Sequence, residues 1–118
     1  LSDEDLRQVY PALAVDDALA RVRTHAPRAT VLYTRGADGM TALPPDGGRI
    51  EQPAFAVAVA DTVGAGDACI GGFLASRLQA PGASLETHVR FAAATAAAAC
   101  TRPGAHAPSR AEVEALLP

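Results

Sequence analysis

The sequence predicts an α/β fold, and three observations support this prediction. Thr30–Thr34 is a β-branched and aromatic run bounded by proline and glycine, which is typical of a buried strand. Apolar residues at helical spacing precede it in Val15–Val22. Two longer helical segments follow it, Gly64–Gln79 and Leu85–Thr101. Helices therefore flank a buried strand in this chain of 118 residues.

Two short helices are predicted before the strand. Ser2 can cap a first helix whose third residue is Asp5, and Val15–Val22 would form the second helix. Pro27 then breaks the helical pattern.

A small antiparallel edge is predicted after the strand. Gly36–Gly39 would form a tight turn into Met40–Leu43, and Pro44–Gly48 would form another before Arg49–Glu51. Short strands joined by such turns pair with their neighbours in antiparallel fashion.

The second half of the chain is predicted to be mainly helical. Pro81–Gly82 separates the two long helices, and Ser84 is the expected N-cap of the second one. Within that helix, Phe91–Cys100 is nearly all alanine, which allows close approach of a neighbouring backbone. We expect it to pack against the helix that begins near Gly64. A last short helix is expected at Arg110–Leu117.

The most informative segment is Asp61–Asp67, which reads Asp-Thr-Val-Gly-Ala-Gly-Asp. Gly64 and Gly66 allow a tight turn that presents successive N–H groups at the start of a helix. The apolar residues at helical spacing that follow are Ile70, Phe73, Leu74 and Leu78. Amides at a helix N-terminus, together with the helix dipole, favour a phosphate or a developing negative charge. Because a carboxylate repels phosphate, Asp67 suggests proton abstraction from a nucleophile beside the phosphate.

Three other interpretations compete with a catalytic anion site. The dinucleotide fingerprint G-x-G-x-x-G would need its third glycine at Cys69, and no acidic residue stands at the end of a second strand at the expected distance. A P-loop would close on Gly-Lys-Ser/Thr, whereas Gly66 is followed by Asp67 and Ala68. A plain glycine-rich connection from strand to helix, with Asp67 as an ordinary first-turn acid, stays open on the physics alone.

The composition argues against nucleic acid, membrane and metal-binding classes. The formal net charge is -3 with mixed signs, there is no basic stripe, and no apolar run approaches the ~20 residues that span a bilayer. His25, His88 and His106 stand apart, and neither Cys69 nor Cys100 belongs to a C-x-x-C pair. Both cysteines lie in apolar segments typical of reduced thiols, and no signal-peptide pattern is visible, so we expect a cytoplasmic location.

Asp61–Asp67, followed by Gly-Gly-Phe-Leu, resembles the C-terminal signature of the PfkB, or ribokinase-like, carbohydrate kinases. Further segments that fall in the family's order are Leu1–Leu6, Thr34–Gly39 and Cys100–Ala105. Three features look most like the fructokinase branch of this family. They are the Ser-Asp-Glu-Asp-Leu opening, the Asp-Thr-Val form of the signature and the Thr-Arg-Pro-Gly-Ala ending. The resemblance implies a ribokinase-like three-layer α/β/α sandwich, Rossmann-like, of which this chain is the C-terminal part.

The activity implied by the resemblance is transfer of the ATP γ-phosphoryl group to a primary hydroxyl of a sugar, with D-fructose as the first candidate. Asp67 would be the catalytic base, since a carboxylate within hydrogen-bond reach can accept the hydroxyl proton as the O–P bond forms. The implied anion hole consists of the amides of Gly64, Ala65, Gly66 and Asp67. Together with Mg²⁺, these amides would neutralise charge on the transferred group.

Nucleotide contacts are implied where motif positions match. The implied ATP-binding positions are Thr34, Arg35, Gly36, Gly39, Gly66 and Ala93. For Arg35, a phosphate ion pair and a surface ion pair both stay open. Ordinary turn chemistry also explains Gly36 and Gly39. Ala93 matches a position beside the adenine, where contact would be apolar or through the backbone.

Two ion sites are also implied by the resemblance. Asp5 matches the acid of an Asn-x-x-Glu motif that supports Mg²⁺ and phosphate through water, but the motif here is Ser2-x-x-Asp5, which is also a capping pair. A monovalent cation such as K⁺ would be held by one acid and four backbone carbonyls. Those ligands would be Asp61, Val63, Ala99, Arg102 and Gly104. An unoccupied structural turn is the alternative.

The family's members are more than twice as long as this chain. Residues 1–118 are therefore expected to be the C-terminal nucleotide-binding and catalytic part, without the N-terminal half that binds sugar and forms the lid. Three function classes stay open: a fructokinase, a kinase of 2-keto-3-deoxygluconate, ribose or a nucleoside, and a noncatalytic nucleotide-binding remnant. The isolated chain is expected to be inactive, and a homodimer is one assembly open to the full-length enzyme.

Overall fold

In the computed structural model, which describes residues 1–118, the chain forms two units, residues 1–51 and residues 52–118. The elements of the first unit are α1 (Asp3–Val9), α2 (Val15–His25), β1 (Val31–Thr34) and β2 (Met40–Leu43). A short strand, β3 (Ile50–Gln52), spans the boundary in sequence. The second unit holds α3 (Ala65–Gln79), α4 (Leu85–Ala99) and α5 (Arg110–Glu114). Every helix and strand predicted from the sequence is present.

The strands form one sheet in the order β1, β2, β3. β1 and β2 are antiparallel, with Val31 opposite Leu43 and Thr34 opposite Met40. A single 3-10 turn at Gly36–Asp38 joins them. The predicted antiparallel pairing is therefore confirmed for β1 and β2.

The first two residues run alongside β1. The Leu1 nitrogen donates to the Leu32 carbonyl (2.9 Å), and the Leu1 carbonyl accepts from the Thr34 amide (3.0 Å). Ser2 bridges Thr34 in the parallel direction. β1 thus has one parallel bridge on one side and the antiparallel strand β2 on the other.

A small apolar core joins the first helices to β1. Leu6 of α1, Ala18 and Leu19 of α2, and Tyr33 of β1 are buried together. Burial of these side chains stabilises the unit, since each removes apolar surface from water.

α2 extends to His25, one turn beyond the predicted end at Val22. The apolar pattern stops at Val22, but the residues after it are compatible with a helix until Pro27. The Arg23 side chain also donates to the Ala26 carbonyl (3.0 Å) and so satisfies a carbonyl at the helix end.

The C-terminal ends of α4 and α5 lie earlier than predicted. α4 ends at Ala99, and the carbonyl of Cys100 after it accepts from the amides of Ala60 (2.8 Å) and Asp61 (3.3 Å). α5 ends at Glu114 instead of Leu117. Sequence patterns do not reveal where the last carbonyls of a helix find other partners, so helix ends are predicted less precisely than helices themselves.

α3 and α4 pack closely side by side, as expected for the alanine-rich helix. A Cβ atom placed on Gly72 would lie 2.4 Å from the Thr95 Oγ1 atom, so only glycine allows this approach. Nearby, the Ser76 hydroxyl bonds with Nδ1 of the buried His88 (2.8 Å). The Phe73 ring meets the His88 ring edge to face at 6.3 Å.

The opposite face of α3 is uncovered. Of the four apolar residues at helical spacing, Phe73 is buried, whereas Ile70, Leu74 and Leu78 are 46%, 55% and 83% exposed. The spacing predicted the helix, but it did not show which side of the helix is buried. None of the helices combines the length and the apolar content needed to span a bilayer.

Candidate active site

The signature turn places an uncapped helix N-terminus at the start of α3. Gly64 is the N-cap and has a φ of +79°, a left-handed conformation that strains residues with a side chain. No side chain caps this helix, whereas a serine hydroxyl accepts an amide hydrogen at the start of α1, α4 and α5. The start of α3 therefore keeps first-turn amides available for an external acceptor.

The predicted anion hole is only partly free in this conformation. The Ala65 amide donates to the Thr62 carbonyl (3.2 Å). The amides of Gly66 and Asp67 lie in the first turn, where a helix offers no carbonyl of its own. These two groups, with the helix dipole, are the best-placed donors for a phosphate oxygen.

Asp67 is exposed and lines a cleft of about 450 Å³. The walls of this cleft come from small residues of α3, from Phe91 and Thr95 of α4, and from residues 105–108 and Arg110. None of the ion pairs in the chain engages the Asp67 carboxylate. A carboxylate in this state can accept a proton from a hydroxyl group placed beside the α3 N-terminus.

Asp61 connects the signature turn with the segment after α4. Its Oδ1 atom accepts from the Val63 amide (3.0 Å), and its Oδ2 atom accepts from the Gly104 amide (2.8 Å). Hydrogen bonds from Val63 first, and then from Gly104, lower the pKa of Asp61. Three of the five residues predicted to hold a cation therefore lie together, joined by the amides of Val63 and Gly104. The role of their carbonyls as ligands stays a prediction.

The other two predicted cation ligands lie close in sequence but have different surroundings. Ala99 is buried at the end of α4, and the Arg102 side chain pairs with Glu112 at 2.6 Å. The role of the Arg102 carbonyl as a ligand stays a prediction.

Glu112 is a site-proximal residue that the sequence analysis missed. Its Oε1 atom lies 2.6 Å from the Arg102 guanidinium and 3.4 Å from Nε2 of His106. Its Oε2 atom accepts from the amide (2.7 Å) and the hydroxyl (2.8 Å) of Ser109. These Ser109 hydrogen bonds, aided by the Arg102 charge, lower the pKa of Glu112 to about 2. The pattern Ser109-x-x-Glu112 is a capping box and was the available sequence signal.

The predicted ATP-binding residues of the first unit lie at the end of β1 and in the turn that follows it. Gly36 and Gly39 have positive φ values of 54° and 84°. The Arg35 guanidinium pairs with Glu51 at 3.0 Å, bonds with the Thr41 hydroxyl and lies 5.5 Å from the centre of the Tyr33 ring. The surface ion pair considered for Arg35 is therefore present, and its phosphate contact stays a prediction.

Ala93 and Asp5 have surroundings that bear on their predicted roles. Ala93 is largely buried on α4, and it does not line the cleft that Phe91 and Thr95 face. The Asp5 carboxylate accepts from the Ser2 amide (2.8 Å) and closes the capping box of α1. Adenine contact at Ala93 and metal support at Asp5 both stay predictions.

The donor set fits Mg²⁺ only as an ion held mainly by the nucleotide. No three His, Cys, Asp or Glu side chains come close enough to share a metal ion. Mg²⁺ is commonly bound through one or two carboxylates together with substrate phosphates and water. A site of that kind needs no preformed protein cluster.

The fold and the site together define an α/β protein with an uncapped helix start that carries its own carboxylate. A family model described as pfkB family carbohydrate kinase matches residues 1–112. The chain belongs to the pfkB family of carbohydrate kinases.

Similar proteins are kinases of several small substrates. The chain is 51% identical over 69 residues to a 2-dehydro-3-deoxygalactonokinase of Haloferax volcanii, and the match covers 58% of this chain and 20% of that protein. An aminoimidazole riboside kinase of Salmonella enterica, solved with aminoimidazole riboside and an ATP analog, is 31% identical with a TM-score of 0.83. A fructokinase double mutant of Vibrio cholerae O395, solved with fructose, ADP and a potassium ion, is 28% identical with a TM-score of 0.84.

These structural matches confirm the predicted ribokinase-like α/β class. They cover 98% and 99% of this chain, but only 40% and 39% of the two solved kinases. The chain therefore spans about two fifths of the length of these relatives.

Proposed function

We propose that this chain is the nucleotide-binding and catalytic C-terminal part of a kinase that transfers the γ-phosphoryl group of ATP to a primary hydroxyl of a sugar. The observation that supports this proposal best is the position of Asp67. Its exposed carboxylate lies in the first turn of α3, next to amides that no side chain caps. This arrangement combines a proton acceptor with donors for the transferred group.

Each group at the α3 start has a distinct role in the proposed reaction. Asp67 accepts the proton of the attacking sugar hydroxyl while the new O–P bond forms. The amides of Gly66 and Asp67, with those of Gly64 and Ala65 after a local adjustment, hold the phosphoryl oxygens. Bound Mg²⁺ would offset negative charge on the phosphates. Loss of one such donor in a comparable site costs about 3 to 4 kcal/mol.

Nucleotide contacts are proposed in the first unit at Thr34, Arg35, Gly36 and Gly39, and separately in the second unit at Gly66 and Ala93. A potassium ion would lie at Asp61, with the carbonyls of Val63 and of residues 99, 102 and 104. The Vibrio cholerae kinase solved with a potassium ion supports this assignment by similarity. Binding of K⁺ can be measured as activation of turnover in potassium chloride relative to equal sodium chloride.

For the sugar, we propose D-fructose first, because the motif forms are most like those of fructokinases and a fructokinase is among the structural relatives. A 2-keto-3-deoxy sugar acid is the second candidate, because the Haloferax volcanii relative shares 51% identity over 69 residues. The residues that would distinguish these substrates are expected in the part of the relatives that this chain does not cover.

A coupled ADP-release assay tests the proposal. The assay would compare this chain with a longer open reading frame that contains it, using Mg-ATP and D-fructose, 2-keto-3-deoxygalactonate, D-ribose and a nucleoside. Fructose-dependent ADP release by the longer protein alone is the expected result. Turnover with another acceptor would keep the phosphotransfer and change the substrate. Absence of turnover with all acceptors, from a longer protein that is folded, would contradict a catalytic role and favour the noncatalytic remnant.

A further inference from the structure

Residues 101–106 form a segment that rests directly against the start of α3. The Gly104 amide in this segment donates to Asp61, which also holds the Val63 amide of the signature turn. A Cβ atom placed on Gly64 would lie 3.2 Å from the Ala105 Cβ atom. A shift of the 101–106 segment would therefore disturb both Asp61 and the N-cap of α3.

Glu112 contacts the same segment at two positions. One carboxylate oxygen, Oε1, lies 2.6 Å from the Arg102 guanidinium and 3.4 Å from Nε2 of His106. Arg102 and His106 lie near opposite ends of the segment, so the Glu112 side chain contacts both ends. The second oxygen, Oε2, is used by Ser109 alone.

The helix that carries Glu112 is anchored in the interior. Val113, the next residue, is 2% exposed and packs with Ala94 and Ala98 of α4. A side chain held by a buried neighbour can restrain a loop, whereas a side chain on a frayed helix end cannot.

We infer that Glu112 is a positioning residue that holds the 101–106 segment in place against Asp61 and Gly64, and so fixes the geometry of the anion-binding turn. This inference rests on the proposed function, since it assigns Glu112 to the same phosphate-binding turn. A capping box alone would require only the bonds to Ser109. The Arg102 and His106 contacts are additional, and they connect α5 with the site.

Amide hydrogen exchange on the 118-residue chain tests this role. Glu112→Gln keeps a carbonyl oxygen that can accept from Ser109, but it removes the charge that pairs with Arg102. The amides of Val63 and Gly104, which both donate to Asp61, are expected to exchange roughly two- to five-fold faster, the range for an exposed ion pair.

Two control variants separate positioning from helix capping. Ser109→Ala removes the hydroxyl of the capping box and leaves the Glu112 charge in place. Glu114→Gln on the same helix removes only an exposed pair with Arg110. Neither control is expected to change exchange at Val63 or Gly104. If Glu112→Gln accelerates exchange only within residues 109–114, or no more than the controls do, the inference is wrong.

A second variant keeps the test valid if Glu112→Gln loses helix content by circular dichroism. Arg102→Gln removes the same ion pair from an exposed side chain, 61% accessible, and should accelerate the same two amides. Unchanged exchange in a folded Arg102→Gln variant would overturn the role.

Inorganic phosphate separates this inference from the proposed function. Protection of the Gly66 and Asp67 amides by phosphate in the unmodified chain would support the anion site, and weaker protection in Glu112→Gln would support positioning. Acceleration at Gly104 without any phosphate protection would keep the restraint on the turn and contradict its use for phosphate. The positioning role of Glu112 and the phosphate site at the α3 start can thus be contradicted separately.

Discussion

Asp67 is placed where two negative groups would compete for one positive region. The first turn of a helix attracts both a carboxylate and a phosphate, because unpaired amides and the dipole favour negative charge there. In the proposed reaction, the sugar hydroxyl loses its proton to the Asp67 carboxylate while it attacks the phosphate. The two negative groups are therefore close to each other during this step. Bound Mg²⁺ would then be needed to limit their repulsion.

The first prediction concerns Asp67→Asn in a longer kinase that contains this chain. This change keeps the side-chain shape but removes the proton acceptor, so turnover should fall by about 10²- to 10⁴-fold. The affinity for ATP, measured by calorimetric titration, should stay nearly unchanged.

Glu86→Gln is the matched control for Asp67→Asn. Glu86 is also a first-turn acid, on α4, and it does not line the cleft. Its turnover should equal that of the unmodified protein. Comparable turnover in Asp67→Asn would refute the base assignment and would leave Asp67 as an ordinary first-turn acid.

A second prediction at the residue scale concerns the conformation of Gly64. Gly64→Ala would place a side chain at a φ of +79° and a Cβ atom 3.2 Å from Ala105. Left-handed backbone costs a residue with a side chain about 1 to 2 kcal/mol. The free energy of unfolding in urea should fall by at least that amount.

Gly66→Ala is the control for this effect within the same turn. No atom lies within 4 Å of a Cβ atom at Gly66, and its φ is not left-handed. This variant should unfold at a urea concentration close to that of the unmodified chain. Equal losses of unfolding free energy in Gly64→Ala and Gly66→Ala would contradict the prediction, because the left-handed conformation of Gly64 would then not explain the effect.

At the scale of elements, the contact between α3 and α4 depends on one glycine. Thr95 cannot easily withdraw from Gly72, because its hydroxyl also donates to the Phe91 carbonyl (2.8 Å). Gly72→Ala should therefore destabilise the chain by about 1 to 3 kcal/mol, as overpacking of a tight interior does.

Gly71→Ala provides the comparison for Gly72→Ala. A Cβ atom at Gly71 meets nothing within 4 Å, and alanine favours the helix by up to about 1 kcal/mol. Urea unfolding should thus show opposite signs for two adjacent substitutions of the same kind. Destabilisation by both would mean that helix propensity and open space do not decide the outcome in α3.

α5 is expected to make stability depend on pH at acid values. The pKa of Glu112 falls from its ordinary value of 4.5 to about 2 in the folded chain, chiefly because Ser109 donates two hydrogen bonds. A carboxylate whose pKa is lower in the folded chain stabilises the fold at pH values above its unfolded pKa. This stabilisation is lost as the pH falls through the folded pKa. The midpoint of urea unfolding should therefore decrease between pH 5 and pH 2 by a smaller amount in Glu112→Gln. An identical decrease in that variant and in Glu114→Gln would contradict the assignment.

The elements differ in how far the sequence could predict them. Local signals sufficed for the serine caps, the glycine turns and the signature, because each acts within a few residues. The C-terminal end of α4 and the uncovered face of α3 were not predictable, since they depend on partners distant in sequence. The same limit applies to the candidate site: Asp67 stands in a continuous motif, whereas Gly104 reaches Asp61 across 43 positions. Glu112 joins Arg102 and His106 only after α5 packs on α4.

At the scale of the whole molecule, the uncovered face of α3 exposes an apolar surface to water. Ile70, Leu74 and Leu78 lie on one side of the helix and are 46%, 55% and 83% exposed. Contiguous apolar patches on soluble proteins commonly mark contact surfaces. The chain spans 40% of the solved Salmonella enterica kinase, so relatives of that length have additional residues available to cover such a face.

The isolated chain is accordingly expected to self-associate through this α3 face. Sedimentation velocity should show that its mass increases with concentration, while the double variant Leu74→Gln/Leu78→Gln stays a monomer. Val9→Gln is the control, because Val9 is also apolar and 66% exposed but lies on α1 in the first unit. Val9→Gln should associate as the unmodified chain does. A chain that stays monomeric at every concentration, or a double variant that associates as strongly as the unmodified chain, would show that apolar exposure on α3 does not control assembly.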